Sequence, residues 1–147
     1  MGGPKIFKIL LADDDPDDRD LFTEAINENN ADVDCVWNGV QLMKLLQNND
    51  ELPDFIFLDL NMPEKGGKEC LQEIRESDRL KDIPVIIYST SSSKKDIDET
   101  FDLGANLYIT KPNSFSELRK TVKSILSLDW ENTRPGTQRN SYVFSAS

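Results

Sequence analysis

The sequence predicts an α/β sandwich, a parallel five-stranded sheet with helices on both faces. Two observations predict it. A short apolar run followed by a segment of helical period recurs five times along the 147 residues. Strands that alternate with helices must pair in parallel through right-handed crossovers, which places helices over both faces. The length suits a single core, and 37% hydrophobic with 30% charged residues is the composition of a globular chain.

Each unit carries its own local signals. Ile6–Ala12 (IFKILLA) reads as the first strand. Asp15-Pro16 then starts a helix, with Asp as N-cap and Pro at the first helical position. Leu21, Phe22, Ala25 and Ile26 form its apolar stripe. Val33–Trp37 is the second strand, and Asn38 caps a helix bearing Leu42, Leu45 and Leu46. Phe55–Leu60 (FIFLDL) is apolar throughout, as expected of a central strand covered on both faces. Gly66-Gly67 precedes a helix with Cys70, Leu71 and Ile74, and Pro84–Tyr88 is the fourth strand. Ser93 to Asp96 resembles a capping box before a helix with Ile97 and Phe101, which Gly104 ends. Leu107–Thr110 is the fifth strand, and Ser114 to Glu117 is a full capping box opening a last helix with Phe115, Leu118, Val122, Ile125 and Leu126 on one face. Five such units make a flavodoxin-like (βα)5 three-layer sandwich with strand order 2-1-3-4-5. Ligands of that fold bind beyond the carboxyl ends of the strands, where strands one and three diverge.

Composition removes several function classes. Lys+Arg 17 against Asp+Glu 27 gives a net charge of −10, which opposes binding to a phosphate backbone, so no nucleic-acid partner is expected. The chain has no histidine, hence no histidine base, His-ligated metal or Ser/His/Asp arrangement of its own. Cys35 and Cys70 lie in segments that read as buried, more filler than redox centre. No apolar run is long enough to span a bilayer, so neither a membrane partner nor an export signal is expected, and the reading is cytoplasmic.

The strand ends carry the chemistry. The first strand runs into Asp13-Asp14-Asp15, the third into Asp59 with Asn61 beyond it, the fourth into Ser89-Thr90 and the fifth into Lys111-Pro112. All of these face one rim of the sheet. Converging carboxylates repel one another unless a cation intervenes. Hard oxygen ligands in a wet site favour Mg²⁺, or Mn²⁺ in its place, and no organic cofactor is expected. A lysine and a hydroxyl aimed at the same point complement a tetrahedral anion. The site therefore reads as a metal-assisted phosphoryl-binding pocket with Asp59 as nucleophile, Asp13, Asp14 and Asp59 on the metal, and Lys111 offsetting charge from the other side. Bland alternatives exist for the single residues. Asp15, Asp17 and Asp18 read as a solvated helix N-terminus, and Trp37 and Tyr88 as packing residues. The coincidence of four strand ends outweighs them.

At these residues the chain resembles the receiver (response regulator) domains of two-component signalling, through ILLADDDPDD, FIFLDLNMP, IIYSTS and LYITKP in matching order and spacing from about Lys5 to Ser127. The resemblance implies that Asp59 accepts a phosphoryl group from a phosphohistidine on a sensor histidine kinase or histidine phosphotransfer protein. It implies that Asp13 and Asp14 form the acidic pair, that Asn61 lends its backbone carbonyl to the metal, and that Ser89 and Tyr108 are the switch pair, with Tyr108 turning inward on activation. It makes the bond before Pro112 a candidate cis peptide. LDLNMPEKGG, the long Glu76–Ile83 connection and GANLYITKP look like stand-alone receivers that partner bacterial phytochrome-type histidine kinases.

The expected organisation is a receiver domain over 5–128 and a C-terminal tail over 129–147 without an output domain. Function is then phosphorylation-dependent protein binding, with no enzymatic activity beyond the chain's own phosphorylation and dephosphorylation. The helix 4, strand 5 and helix 5 face is a candidate homodimer surface together with the tail, whose Tyr142, Val143 and Phe144 are expected to add an edge strand or fill an apolar groove, within the chain or across a dimer. An Mg²⁺-dependent phosphatase on this fold would want a second Asp where Asn61 stands. A flavin carrier would want Ser, Thr and backbone amides in place of the Asp-rich first loop. A pseudo-receiver working without phosphorylation has no need of intact Asp14, Asp59 and Lys111.

Overall fold

A computed structural model describes residues 6–29, 31–128, 130 and 139–144. Its elements run β1 (Phe7–Ala12), α1 (Pro16–Asn27), β2 (Ala31–Val36), α2 (Gly39–Asn48), β3 (Phe55–Leu58), α3 (Gly67–Glu76), β4 (Val85–Ser89), α4 (Lys94–Asp102), β5 (Leu107–Thr110) and α5 (Phe115–Leu126). All pairings are parallel and the order is β2-β1-β3-β4-β5, as the alternation predicts.

Alternation along the strands sorts the core into two layers. Ile9, Leu11, Phe55, Phe57, Ile86 and Tyr88 face α1 and α5. Leu10, Ala12, Ile56, Leu58, Val85 and Ile87 face α2, α3 and α4. A continuous apolar run such as FIFL is thus used on both sides. Phe22 of α1 locks the first layer, with its ring 4.8 Å from Phe57 and 5.4 Å from Tyr88.

The caps form where the sequence places them. Asp15 accepts from the N–H groups of Asp17 and Asp18, Asn38 from Gln41, Ser93 from Asp96 and Ser114 from Glu117. At Ser93 the reciprocal arm of a capping box is not made, because the Asp96 carboxylate turns to Lys68 and Ser91 instead. Gly104 ends α4 with φ +99, a left-handed residue that glycine adopts without a Cβ penalty.

Several side chains depart from expectation. Leu21 is 43% exposed, because the buried stripe Phe22, Ala25, Ile26 turns it one step out of the core. Trp37, read as a packing residue, is 52% exposed. It follows the edge strand β2, where no neighbouring strand covers it, and lies under the Arg19 guanidinium at 5.7 Å. Cys35 is only half-buried, whereas Cys70 is buried and its thiol is pushed up to about 12 by burial. The bond before Pro112 is trans, as is every peptide bond among the described residues. Even before proline the trans isomer is favoured by about 0.5–1 kcal/mol.

The C-terminal segment returns to the edge of the sheet. After Trp130, whose ring meets Phe55 at 5.1 Å, the next described residues are 139–144. The Tyr108 N–H donates to Tyr142 O at 3.0 Å and the Phe144 N–H donates to Tyr108 O at 2.9 Å, an isolated parallel bridge beside β5. Tyr142 is fully buried and its hydroxyl hydrogen-bonds Thr100 Oγ1 at 2.6 Å. Tyr142 therefore fills an apolar groove between α4 and β5, while Val143 is 44% exposed at the rim. Lys5 and, of the tail over 129–147, residues 129, 131–138 and 145–147 lie outside the described residues.

Candidate functional site

Backbone ladders carry the key residues just past the strand ends. Asp13 N–H donates to Val36 O at 3.0 Å, Asp59 N–H to Ala12 O at 2.9 Å, and Lys111 N–H to Ser89 O at 2.7 Å. Each functional side chain thus hangs from a hydrogen-bonded main chain, not a free loop. Behind Asp59 the chain must turn sharply into α3. Gly67 N–H donates to Leu60 O at 3.0 Å, and a Cβ at Gly67 would collide with the Asp59 carbonyl oxygen. Only glycine allows this approach.

Asp13, Asp14 and Asp59 each offer a carboxylate oxygen, and the three oxygens lie within 4.8 Å of one another. Asp13 and Asp59 are buried while Asp14 is exposed, so the cluster has a dry floor and an open side. Burial pushes the Asp59 carboxyl up to about 6, against the opposing pull of Lys111 and with a further push from Asp13. Burial also raises the Asp13 carboxyl, offset in part by Lys111. Asp13 Oδ2 makes no regular hydrogen bond among the described residues, although Lys111 Nζ lies 2.7 Å away. A buried, under-partnered carboxylate oxygen beside two more acids is a donor set suited to a hard divalent cation.

Lys111 is the cationic side of the pocket. Its side chain is 8% exposed and its Nζ lies 2.7 Å from Asp13 Oδ2, 2.8 Å from Asp18 Oδ2 and 3.6 Å from Asp59 Oδ2. The stem crosses the face of Tyr88, with Nζ 5.3 Å from the ring centroid. Burial alone would lower its pKa, but the ion pairs with Asp13 and Asp18 outweigh this and hold the ammonium charged. Asp18 was expected to be a solvated helix-start residue. It is instead a partner of Lys111, because the first turn of α1 points its N-terminus at the same rim as β5. The sequence signal was its place one turn beyond the Asp15-Pro16 start.

Ser89 is fully buried at the end of β4, and its Oγ accepts the Ser91 N–H at 3.2 Å. The Ser91 hydroxyl donates to Asp96 Oδ2 at 2.6 Å, and Asp96 is gripped by Lys68 from α3 at 2.7 Å. Tyr108 already lies inward, with no exposure, and its hydroxyl donates to Ser91 O at 2.7 Å. An inward turn was expected only on activation. Here the phenol finds a backbone acceptor in the β4–α4 loop, and Tyr142 closes over it with ring centroids 6.1 Å apart. Sequence reading named Tyr142 as filling an apolar groove but not its contact with Tyr108, and read Asp96 only as a helix-start residue. Asn61 sits beside the acids with its N–H donating to Asp59 Oδ1 at 3.5 Å.

Residues 9–123 match the model of the response regulator receiver domain. The chain is 35% identical over 137 residues to response regulator Rcp1 of Synechocystis sp., spanning 88% of this chain and 91% of Rcp1. The phosphorylated cyanobacterial phytochrome response regulator RcpA has a similar structure, with TM-score 0.81, 37% identity, and 88% of this chain and 97% of RcpA covered. The Mn²⁺-bound form of Rcp1 gives TM-score 0.76 at 32% identity, covering 86% of this chain and 96% of Rcp1.

Proposed function

The chain belongs to the response regulator receiver domain family, and from that premise we propose that Asp59 is the residue that accepts the phosphoryl group. The observation that carries this reading is a buried carboxylate with a lysine ammonium 3.6 Å away on one side and two further acids on the other. An ionised carboxylate attacks phosphorus, a bond forms from its oxygen to phosphorus, and the bond from phosphorus to the donor imidazole nitrogen breaks with its electron pair left on that nitrogen. With its carboxyl pushed up to about 6, Asp59 is mostly ionised at neutral pH and able to attack.

Asp13, Asp14 and Asp59, with the Asn61 backbone carbonyl, would hold Mg²⁺ or Mn²⁺. The bound cation supplies compensation for negative charge gathering on the phosphoryl oxygens. Lys111 supplies the same from the β5 side. Ser89 turns its hydroxyl to a phosphoryl oxygen and releases the Ser91 N–H, so the β4–α4 loop and Tyr108 above it feel the state of Asp59. The chain catalyses only its own phosphorylation and dephosphorylation.

The donor in this reading is a sensor histidine kinase of the phytochrome type or a histidine phosphotransfer protein, met in the cytoplasm. RcpA is described as a phytochrome response regulator, and its likeness to this chain supports that choice. Output is by protein binding, and a homodimer through the α4, β5 and α5 face with segment 139–144 is the favoured assembly. Among the described residues no helix is long and apolar enough to cross a membrane.

Incubation with acetyl phosphate and Mg²⁺, followed by intact-mass measurement, tests the reading. Wild type should gain one phosphoryl group and Asp59→Asn none. Equal gain in both proteins would move the acceptor elsewhere.

A further inference from the structure

The Lys111 ammonium has three N–H donors. Asp13 Oδ2 and Asp18 Oδ2 lie 2.7 and 2.8 Å from it, while Asp59 Oδ2, at 3.6 Å, is beyond a normal hydrogen bond. Asp18 reaches this point from α1, a helix pinned by its Asp15 cap and packed on the core through Phe22, Ala25 and Ile26. Its side chain is 29% exposed, so it is neither core filler nor fully solvated. Asp18 is also absent from the group of acids whose oxygens cluster tightly enough to share a metal. Its contact is with the lysine.

We propose that Asp18 is a positioning residue for phosphoryl transfer, holding Lys111 back from Asp59 so that the acceptor carboxylate stays free to attack. This rests on the reading of Asp59 as acceptor. Without Asp18, the ammonium loses one of its two near partners, and the next acid within reach is Asp59, 3.6 Å away. A full charge-assisted bond there would engage the carboxylate's lone pairs and close the gap that arriving phosphoryl oxygens need. Asp13 alone cannot prevent this, because it lies on the same side of Lys111 as the acid cluster it shares with Asp59. Asp18 pulls from the helix instead.

A double-mutant cycle on the full chain tests the claim, with acetyl phosphate and Mg²⁺ as probe and the rate of mass gain as readout. Asp18→Ala should slow phosphorylation about tenfold, the scale of one charge-assisted hydrogen bond. Asp18→Glu should recover most of the rate, since the longer carboxylate still reaches the ammonium. In a Lys111→Ala background, Asp18→Ala should change the rate by less than about twofold, because its effect passes through the lysine. Equal slowing in both backgrounds, or no slowing in wild type, overturns the proposal. If Lys111→Ala gains no measurable phosphate, the Lys111 side-chain ¹H–¹⁵N ammonium signal decides. It should be sharp in wild type and shifted in Asp18→Ala, where the ammonium moves onto Asp59, and an unchanged signal overturns the proposal. Phosphate gain by Asp59→Asn would overturn the acceptor reading instead, while the ammonium signal would still report on Asp18.

Discussion

Tyr142 O accepts the backbone N–H of Tyr108 at 3.0 Å, and the two rings meet edge-on with centroids 6.1 Å apart. A residue near the end of the described chain is thereby built into the same core layer as Tyr108 of β5. Tyr142→Ala should cost about 3–5 kcal/mol of stability in chemical denaturation, the range for emptying a buried aromatic site. Tyr142→Phe, which loses only the 2.6 Å bond to Thr100, should cost about 1 kcal/mol. Deletion from residue 139 should also abolish any dimer seen by light scattering. Equal stability of the Ala and wild-type proteins would remove the segment from the core.

The approach of α3 to the loop after Asp59 is limited by Gly67. Gly67→Ala should cost about 1–3 kcal/mol, as overpacking does, and should slow phosphate gain because the clash falls on the Asp59 carbonyl itself. Gly66→Ala is the milder comparison, since a Cβ there meets only Leu60 O, at 3.3 Å, against the closer clash at Gly67. Equal thermal shifts for the two variants would contradict this account.

Stability without metal should fall as pH rises through the titration of Asp59. Its carboxyl is pushed from 3.8 up to about 6 by burial, so the folded state binds the proton more tightly than the unfolded state. Stability is then greatest below the unfolded value and declines as pH passes through the folded one. Urea midpoints of wild type should drop between about pH 4 and about pH 6. Asp59→Asn should drop less over that window, and added Mg²⁺ should offset the loss in wild type. Parallel profiles for the two proteins would count against the desolvation of Asp59.

The β4–α4 loop is clasped from outside by Asp96, which Lys68, then Ser91, holds down to about 2. Asp96→Ala should free the Ser91 hydroxyl and speed amide hydrogen exchange across residues 89–93, with little change in global stability because the ion pair is partly exposed. Unchanged exchange would show that Tyr108 alone holds the loop.

The strands, caps and rim residues were legible because each is written in a few neighbouring residues. Periodicity gave the faces of the sheet, Asp15-Pro16 and Asn38 gave helix starts, and the acids of the first and third strand ends met where the strand order reverses. Boundaries drifted by one or two residues, as with β2, which begins at Ala31 where a buried alanine pairs with Phe7. What stayed hidden depends on partners far along the chain. Asp18 finds Lys111 across 93 positions, and Tyr142 finds Thr100 across 42. No local pattern distinguishes such a carboxylate from a solvated one, or such a tyrosine from a loose tail.

The most direct measurement is borohydride reduction of the phosphorylated protein followed by peptide sequencing, since hydride converts an aspartyl phosphate to homoserine. The account predicts homoserine at position 59 alone. Homoserine at Asp13 or Asp14, or a phosphoryl group that survives on a serine or threonine, would contradict it.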